Sequence, residues 1–146
     1  MKETIAAVPL WLIQRKLPDT VSLQILDSDQ QVLFSSTGKW LHPLLAAEEF
    51  LSDPLLDASG LILHDRIAGR AAAALTVRMG FKMVKADLMS KLAESVYMQH
   101  GVPYCADTVI ERITCQTEDL IDESMDLDDV HAFIKQRASA AGSKGT

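Results

Sequence analysis

Cysteine is scarce in this chain, which has only Cys105 and Cys115 among its 146 residues. The two are far from the close spacing of a zinc or redox pair, so we expect reduced thiols and no disulfide scaffold. Long apolar runs are missing too, because residues 5–13 are too short to cross a bilayer. Arg15 and Lys16 follow that run with no small-residue cleavage pattern, so we predict a cytoplasmic protein with no membrane partner.

Positive charge is also in short supply, since 20 acidic residues outnumber 14 basic ones and the net charge is −6. This balance argues against nucleic acid as a partner, because phosphate contacts need a surplus of Lys and Arg on one face. Hydrophobic residues make up 48% of the chain, enough for one core. We therefore predict a single domain over residues 1–137 and a flexible Ala, Gly and Ser tail over 138–146.

Helical and strand periodicities alternate along the chain. A helix over 4–16 precedes a hairpin of two period-two runs, 21–25 and 32–34. The remaining predicted elements are helix 42–51, strand 60–63, helix 67–79, strand 81–86, helix 87–101, strand 104–113 and helix 127–137. This order predicts an α/β protein, a three-layer α/β/α sandwich with a mixed five-stranded sheet that is mainly parallel after the hairpin.

Several residues in the second half of the chain carry a family resemblance. They are Asp65, Gly69, Arg70, the run Ala71 to Ala74, Ser90, Ala93, Cys115 and Glu118. In this order they resemble the prokaryotic family called domain of unknown function 1893, over about residues 21–125. The resemblance implies a cytidine-deaminase-like fold.

The zinc chemistry of a working deaminase is not evident in the sequence. That chemistry needs a His or Cys two residues before a Glu, and a Pro-Cys-x-x-Cys at a second helix start. His42 is followed by Pro43 and Leu44, and the next predicted helix start, residues 65–69, has no Cys. We predict no metal, no cofactor and no active zinc deaminase, and we assign structural roles to His42, His64, Cys105 and Cys115. Whether the protein is an enzyme of another kind is left open.

A Gly-Arg pair at the opening of an alanine-rich helix is the clearest functional signal. Gly69 leaves the backbone N–H groups accessible and Arg70 supplies a fork of donors, which suits an anion. The alternative is that the small residues let the helix lie close to the sheet while Arg70 is solvated. Ser36, Gly38 and His42 surround the preceding helix start and join the same candidate site.

Asp65 and Asp87 each fall where a strand gives way to a predicted helix. Open α/β sheets place their clefts at such junctions, but Asp is also a preferred N-cap. We favour capping for Asp87, helped by Ser90, and keep a ligand role open for both residues. Asp65 is the acid that matches the family, so it could orient Arg70 or bind a ligand hydroxyl.

Charge is unevenly distributed over the second half of the chain. Six basic residues and one acid lie within 66–91, whereas 118–129 has seven acids and no base. The two runs can attract each other within the fold or between subunits, which satisfies the basic groups without a ligand. For the acidic run, a solvated surface is the favoured interpretation.

Three functions remain open. The leading one is a module without zinc that binds a small anionic or nucleotide-like molecule near Ser36, Gly38, Asp65, Gly69 and Arg70. The second is an enzyme whose acid-base chemistry uses Asp65 with Cys115 or Glu118. The third is a structural or interaction module that forms a homodimer.

Overall fold

A computed structural model describes residues 8–39, 41–113, 121 and 124–145, with side chains described as far as Ser139. Its strands are β1 (Leu23–Leu26), β2 (Val32–Ser36), β3 (Ile62–Ala68), β4 (Met83–Ser90) and β5 (Tyr104–Ile110). Its α-helices are α1 (Leu10–Ile13), α2 (His42–Phe50), α3 (Arg70–Met79), α4 (Lys91–Gln99) and α5 (Leu127–Gly145), with a 3-10 turn at Ala58–Gly60.

The strands form one open mixed sheet in the order β2-β1-β3-β4-β5. Strand β1 is antiparallel to both neighbours, while β3, β4 and β5 are parallel. Strands β2 to β5 therefore share one direction and end at the same edge, which we call the carboxyl edge. The predicted mixed five-stranded α/β sheet is confirmed.

One face of the sheet, the helix face, carries the large apolar core. Leu23, Leu63 and Val84 project from three adjacent strands and pack against buried residues of α2, α3, α4 and α5. Ala71–Ala74 are all buried, so α3 lies close to the strands. It ends at Gly80, whose φ of 88° is the left-handed conformation that glycine adopts without a steric penalty.

The opposite face is covered by residues 8–17, which we call the strap. Val8 and Leu12 of the strap pack on Leu26, Ile62 and Met83 in a second, smaller apolar cluster. The strap contains α1, which spans fewer residues than the predicted helix 4–16; residues 1–7 of that prediction lie outside the described chain. Pro9 precedes its first residue, as expected of a side chain that fixes φ and lacks an N–H.

The predicted hairpin is confirmed, with a turn held by the Asp27 carboxylate. Its Oδ1 accepts from the backbone N–H of Asp29 at 2.9 Å and of Gln31 at 3.0 Å. This Asx-type bonding leaves Gln30 in the left-handed region, with φ of 68°. The charged turn between two apolar runs was therefore correctly identified.

Two predicted helix starts are wrong. Strand β3 continues to Ala68 and its helix begins at Arg70, not at Ile67; strand β4 continues to Ser90, so Asp87 lies within a strand and does not cap a helix. Both strands extend through polar residues, and His64 and Arg66 of β3 find a partner across the sheet in Asp87 of β4. The last helix also continues beyond the predicted end at Arg137, to Gly145. None of the described helices is long and apolar enough to cross a membrane.

Candidate functional site

The carboxyl edge brings together three helix starts. Helices α2, α3 and α4 follow strands β2, β3 and β4, so their N-termini all lie at this edge. Each N-terminus carries a partial positive charge. Ser90 caps α4, its hydroxyl accepting from the Ala93 N–H at 3.0 Å, whereas neither Leu41 nor Gly69 offers a capping side chain to α2 or α3.

Ser36, Gly38 and His42 lie together at the start of α2. The Ser36 hydroxyl accepts from the Gly38 N–H at 3.3 Å, and the Gly38 carbonyl accepts from the Ser22 hydroxyl at 2.6 Å. A Cβ at Gly38 would approach Pro43 Cγ to 3.4 Å, so a side chain there would crowd the first turn of the helix. His42 is the exposed first residue of α2. These contacts explain Ser36 and Gly38 as loop-forming residues.

Gly69 and Arg70 open α3 as predicted. Gly69 is the N-cap in an extended conformation, and its carbonyl accepts from the Ala73 N–H at 3.0 Å. Arg70 is half-buried, and its Nη1 donates to the Ile121 carbonyl at 2.8 Å. Arg70 therefore joins the start of α3 to the chain segment before α5, and it is not simply solvated.

A cleft of about 830 Å³ lies beside Arg70. Ser95, Gln99 and His100 line one wall, and residues just before and at the start of α5, including Asp126 and Asp128, line the other. Its size is within the range of small-molecule sites in proteins. Arg70 thus has a cavity next to it that could accept part of a ligand.

Asp65 is buried within β3 rather than at a helix start. Burial raises the pKa of its carboxyl to about 7, although N–H groups of Arg66 and Ile67 oppose that shift by bonding the charged form. Ser36 and Asp65 both pair with Leu23, so they lie in one row of the sheet with β1 between them, about 10 Å apart along the sheet. Asp65 can therefore be protonated or charged near neutral pH.

Tyr97 of α4 adds a second buried polar group on the helix face. The charge of Asp65 contributes to a raised pKa of its phenol, after the larger effect of burial. Its hydroxyl is buried and forms no hydrogen bond of standard geometry with any part of the chain that the structure describes. Asp65 and Tyr97 thus place polar groups inside a largely apolar layer, in which Thr76 is also buried.

Asp87 lies on the strap face, away from the other predicted site residues. Its Oδ1 accepts from His64 Nε2 at 2.8 Å, and its Oδ2 is 3.6 Å from Arg66 Nη1. The predicted capping role of Asp87 is wrong because the strand continues for three more residues, and Ser90 alone supplies the cap. Cys115 and Glu118 lie outside the described residues, so their predicted roles stay predictions.

The strap face holds a polar network that the sequence did not reveal. Lys85 is fully buried, and its ammonium donates to the backbone carbonyls of Ile13 at 2.5 Å and Arg15 at 2.7 Å, and pairs with Asp107 at 3.1 Å. Arg15 also donates to Gln24 Oε1 at 2.6 Å. Lys85 therefore fixes the backbone of the strap to the centre of the sheet.

His64 lies at the centre of this network and is fully buried. Its Nδ1 is 2.8 Å from Arg15 Nη1, and its Nε2 is 2.8 Å from Asp87 Oδ1. Because a guanidinium can only donate, Nδ1 must accept and the single ring proton is on Nε2. Burial lowers the pKa of His64, and Arg15 and Lys85 lower it further, against the opposing effect of Asp87. The ring is therefore neutral.

The strap face offers neither a reactive thiol nor a metal cluster. Burial raises the pKa of Cys105 to about 11, which keeps its thiol protonated and poorly nucleophilic at neutral pH. Within residues 8–39, 41–113, 121 and 124–145, no three His, Cys, Asp or Glu side chains are grouped to hold an ion.

The basic run over 66–91 does not form one surface patch. Arg78 pairs with Glu48 and Asp128, Lys85 is buried beside Asp107, and Lys91 pairs with Glu111. The ion pair between Arg78 and Asp128 links the basic run to the acidic run within one chain. Attraction within the fold was one of the two alternatives predicted for these charges. Most of these cations are thus used within the fold.

The mixed five-stranded open sheet with its helices defines an α/β protein. A family described as a domain of unknown function, DUF1893, matches residues 13–137. The chain belongs to this family. Among solved structures, a DUF1893 family protein from Thermotoga maritima is similar, with a TM-score of 0.71, 20% sequence identity and 80% of each chain covered. No curated protein matches the chain.

Proposed function

We propose that this protein binds a small molecule bearing an anionic group, such as a phosphate, at the carboxyl edge near Gly69 and Arg70. The observation that carries the proposal is the start of α3, where Gly69 is an N-cap without a capping side chain and Arg70 follows it. The other two helix starts at this edge are already satisfied, because Ser90 caps α4 and the first N–H groups of α2 bond to the carbonyls of Lys39 and Leu41. The first N–H groups of a helix have no partner within the helix and favour an anion. Binding alone is sufficient for this role, and catalysis is not required.

One further feature supports a ligand at this position, and two buried polar groups lie on the same face of the sheet. Arg70 places a guanidinium beside the cleft of about 830 Å³. Asp65, with a pKa of about 7, can donate a hydrogen bond when protonated or accept one from a ligand hydroxyl when charged. The Tyr97 hydroxyl is a further buried polar group without a standard hydrogen bond among the described residues. Neither Asp65 nor Tyr97 lines the cleft, so the direct support for an anionic ligand comes from Arg70.

The fold itself is compatible with a cytidine-deaminase-like, three-layer arrangement. The strap with α1 would form one layer, the sheet the second, and α2 to α5 the third. The order of a hairpin followed by strand-helix units supports this proposal. It implies no deaminase activity, because the family resemblance concerns the backbone arrangement and not a set of zinc ligands.

A thermal-shift series tests the proposed function. Ribose 5-phosphate, cytidine monophosphate and inorganic phosphate are each compared with ribose or cytidine, which lack the phosphate. At a concentration 100 times the Kd, binding stabilises by about 2.7 kcal/mol, which raises the Tm of a chain of this size by roughly 9 °C. We expect the phosphate-bearing compounds to give this shift and the unphosphorylated compounds to give none.

Two arginines of α3 provide matched variants. Arg70→Gln should abolish the shift, measured from its own ligand-free Tm, whereas Arg78→Gln should retain it, because Arg78 pairs with Glu48 and Asp128 at the far end of the helix. An equal shift in both variants, or none with any phosphate compound, would contradict the proposal.

A second candidate is an enzyme in which Asp65 acts as a general acid or base. A carboxyl with a pKa of about 7 is suited to proton transfer near neutral pH. Nuclear magnetic resonance of any compound that stabilises the protein would show whether it is converted over hours. Conversion by the wild type that is lost in Asp65→Asn, with binding retained, would establish catalysis; an unchanged compound would leave binding as the function.

A further inference from the structure

Besides the bonds from Lys85 to the carbonyls of Ile13 and Arg15, which do not involve His64, the strap is attached to the sheet by two kinds of side-chain contact. At one end, Leu12 packs on Ile62 and Met83 through apolar contacts. At the other end, Arg15 is held by hydrogen bonds to His64 and Gln24. The second attachment depends on the protonation state of His64, since only a neutral ring can accept from a guanidinium.

Protonation of His64 and its contact with Arg15 exclude each other. The ring already carries its proton on Nε2, where it donates to Asp87, so a second proton must go to Nδ1. That nitrogen is the atom to which Arg15 Nη1 donates at 2.8 Å. A doubly protonated His64 would leave two donors and two positive charges facing each other in a buried site.

The surrounding charges make a second proton still less favourable. Three cations face this site, namely Arg15 of the strap, Arg66 of β3 and Lys85 of β4. The two anions are Asp87 of β4 and Asp107 of β5. Gln24 of β1 and Cys105 of β5 are the uncharged polar neighbours. An imidazolium would add a fourth cation to a group with two carboxylates.

We propose that His64 is a pH-sensitive latch for the strap, and that protonation at Nδ1 expels the Arg15 side chain and opens residues 8–17. Opening uncovers the apolar surface formed by Leu26, Ile62 and Met83. This property concerns the strap face and is independent of the anion site proposed at the carboxyl edge.

Linkage gives the direction and the pH range of the effect. In the closed state the pKa of His64 is below its ordinary value of about 6.5, and in the open state the ring is solvated and returns to that value. The open state therefore binds more protons as the pH falls below about 6.5. Each unit of difference between the two pKa values multiplies the equilibrium constant for opening by about ten.

Amide hydrogen exchange of the strap tests the latch. The N–H groups of Gln14 and Arg15 are bonded to the carbonyls of Leu10 and Leu12, so their exchange reports strap opening. Rates are corrected for the intrinsic effect of pH and compared between pH 7.5 and 5.5. We expect opening at Gln14 and Arg15 to increase by up to about tenfold, because pH 5.5 is one unit below the open-state pKa, while amides of Leu63 and Val84 in the sheet stay protected.

His64→Gln is the matched variant. The Gln amide can accept from Arg15 and donate to Asp87, but it does not titrate, so strap exchange should become independent of pH. Trp11 provides an independent readout because it packs beside the strap-face cluster, and its emission in a Trp40→Phe background should shift to longer wavelength at pH 5.5.

Three outcomes would overturn the latch. The first is strap opening that is equal at both pH values. The second is a pH dependence that persists in His64→Gln, which would assign the titration to another group. The third is a loss of protection that is uniform across β3 and β4, which would mean global unfolding rather than opening of the strap.

Discussion

The buried polar groups on the two faces of the sheet differ in how many hydrogen-bond partners they have. On the helix face, polar groups are few and are left in apolar surroundings: Asp65 has a pKa of about 7 and Tyr97 has a buried hydroxyl without a standard partner among the described residues. On the strap face, buried polar groups are saturated, as Lys85 shows with two carbonyls and a carboxylate around its ammonium. Buried polar groups that have all their hydrogen-bond partners stabilise the fold, whereas buried polar groups in apolar surroundings are candidates for function.

The largest expected effect concerns the pH dependence of stability on the helix face. The pKa of Asp65 is about 7 in the folded protein, above the ordinary value of 3.8, so its folded state retains a proton between those pH values. The stabilisation from Asp65 is fully present below about pH 3.8 and is lost as the pH rises through 7. The free energy of unfolding falls by about 4 kcal/mol over this range. Urea denaturation of Asp65→Asn from pH 4 to 8 should lack this loss.

The comparison of faces gives a control for that measurement. His64 on the strap face destabilises the fold as the pH falls below about 6.5, the opposite direction to Asp65. The profile of stability against pH in Asp65→Asn should therefore keep the loss of stability below about pH 6.5. In His64→Gln this loss should be absent. A profile that both variants leave unchanged would contradict the assignment of these two groups.

The next effect concerns the saturated network of the strap face. Lys85→Met removes the ammonium and leaves the Ile13 and Arg15 carbonyls and the Asp107 carboxylate without their partner. We expect a loss of about 3 kcal/mol in the free energy of unfolding, measured by urea denaturation. Lys91→Met, which breaks an exposed pair with Glu111, should leave stability within experimental error. Equal effects of the two substitutions would show that the network contributes nothing.

The smallest effect distinguishes two tyrosines that stack on each other. Tyr97→Phe deletes the buried hydroxyl that lacks a standard hydrogen bond, so we expect stability to be unchanged or to rise by about 1 kcal/mol. Tyr104→Phe deletes a hydroxyl that donates to Glu94 at 2.9 Å, so we expect a small loss. A marked loss in Tyr97→Phe, measured by thermal denaturation, would mean that its hydroxyl has a partner in solution.

The order of elements was predictable because the chain changes its periodicity at each boundary. The hairpin around Asp27, the start of α2 at His42 and the Gly80 stop were all visible as local patterns. The lengths of β3 and β4 were not anticipated, since His64, Asp65, Lys85 and Asp87 interrupt the apolar runs. The alternation of Met83, Lys85 and Asp87 on one face was the available signal, but Asp is a preferred N-cap, so Asp87 also indicates the start of a helix.

The candidate site was only partly predictable for a related reason. Gly69 and Arg70 are adjacent in sequence, and Ser36 and Gly38 are two positions apart, which made the carboxyl edge visible. The contact of Arg15 with His64 joins residues 49 positions apart, and the bonds of Lys85 to the strap span 70 and 72 positions. Nothing local in the sequence indicates such pairs, because they depend on how the strap crosses the sheet.

The acceptors for Lys85 in the strap are main-chain carbonyls, and every amino acid provides the same atom. The bonds from Lys85 therefore do not depend on which side chains occupy positions 13 and 15. Ile13 is 39% exposed, so the outer surface of the strap at that position is free to diversify while its docking is preserved. A family built on this fold could thus vary what it presents to solvent there without redesigning the interior.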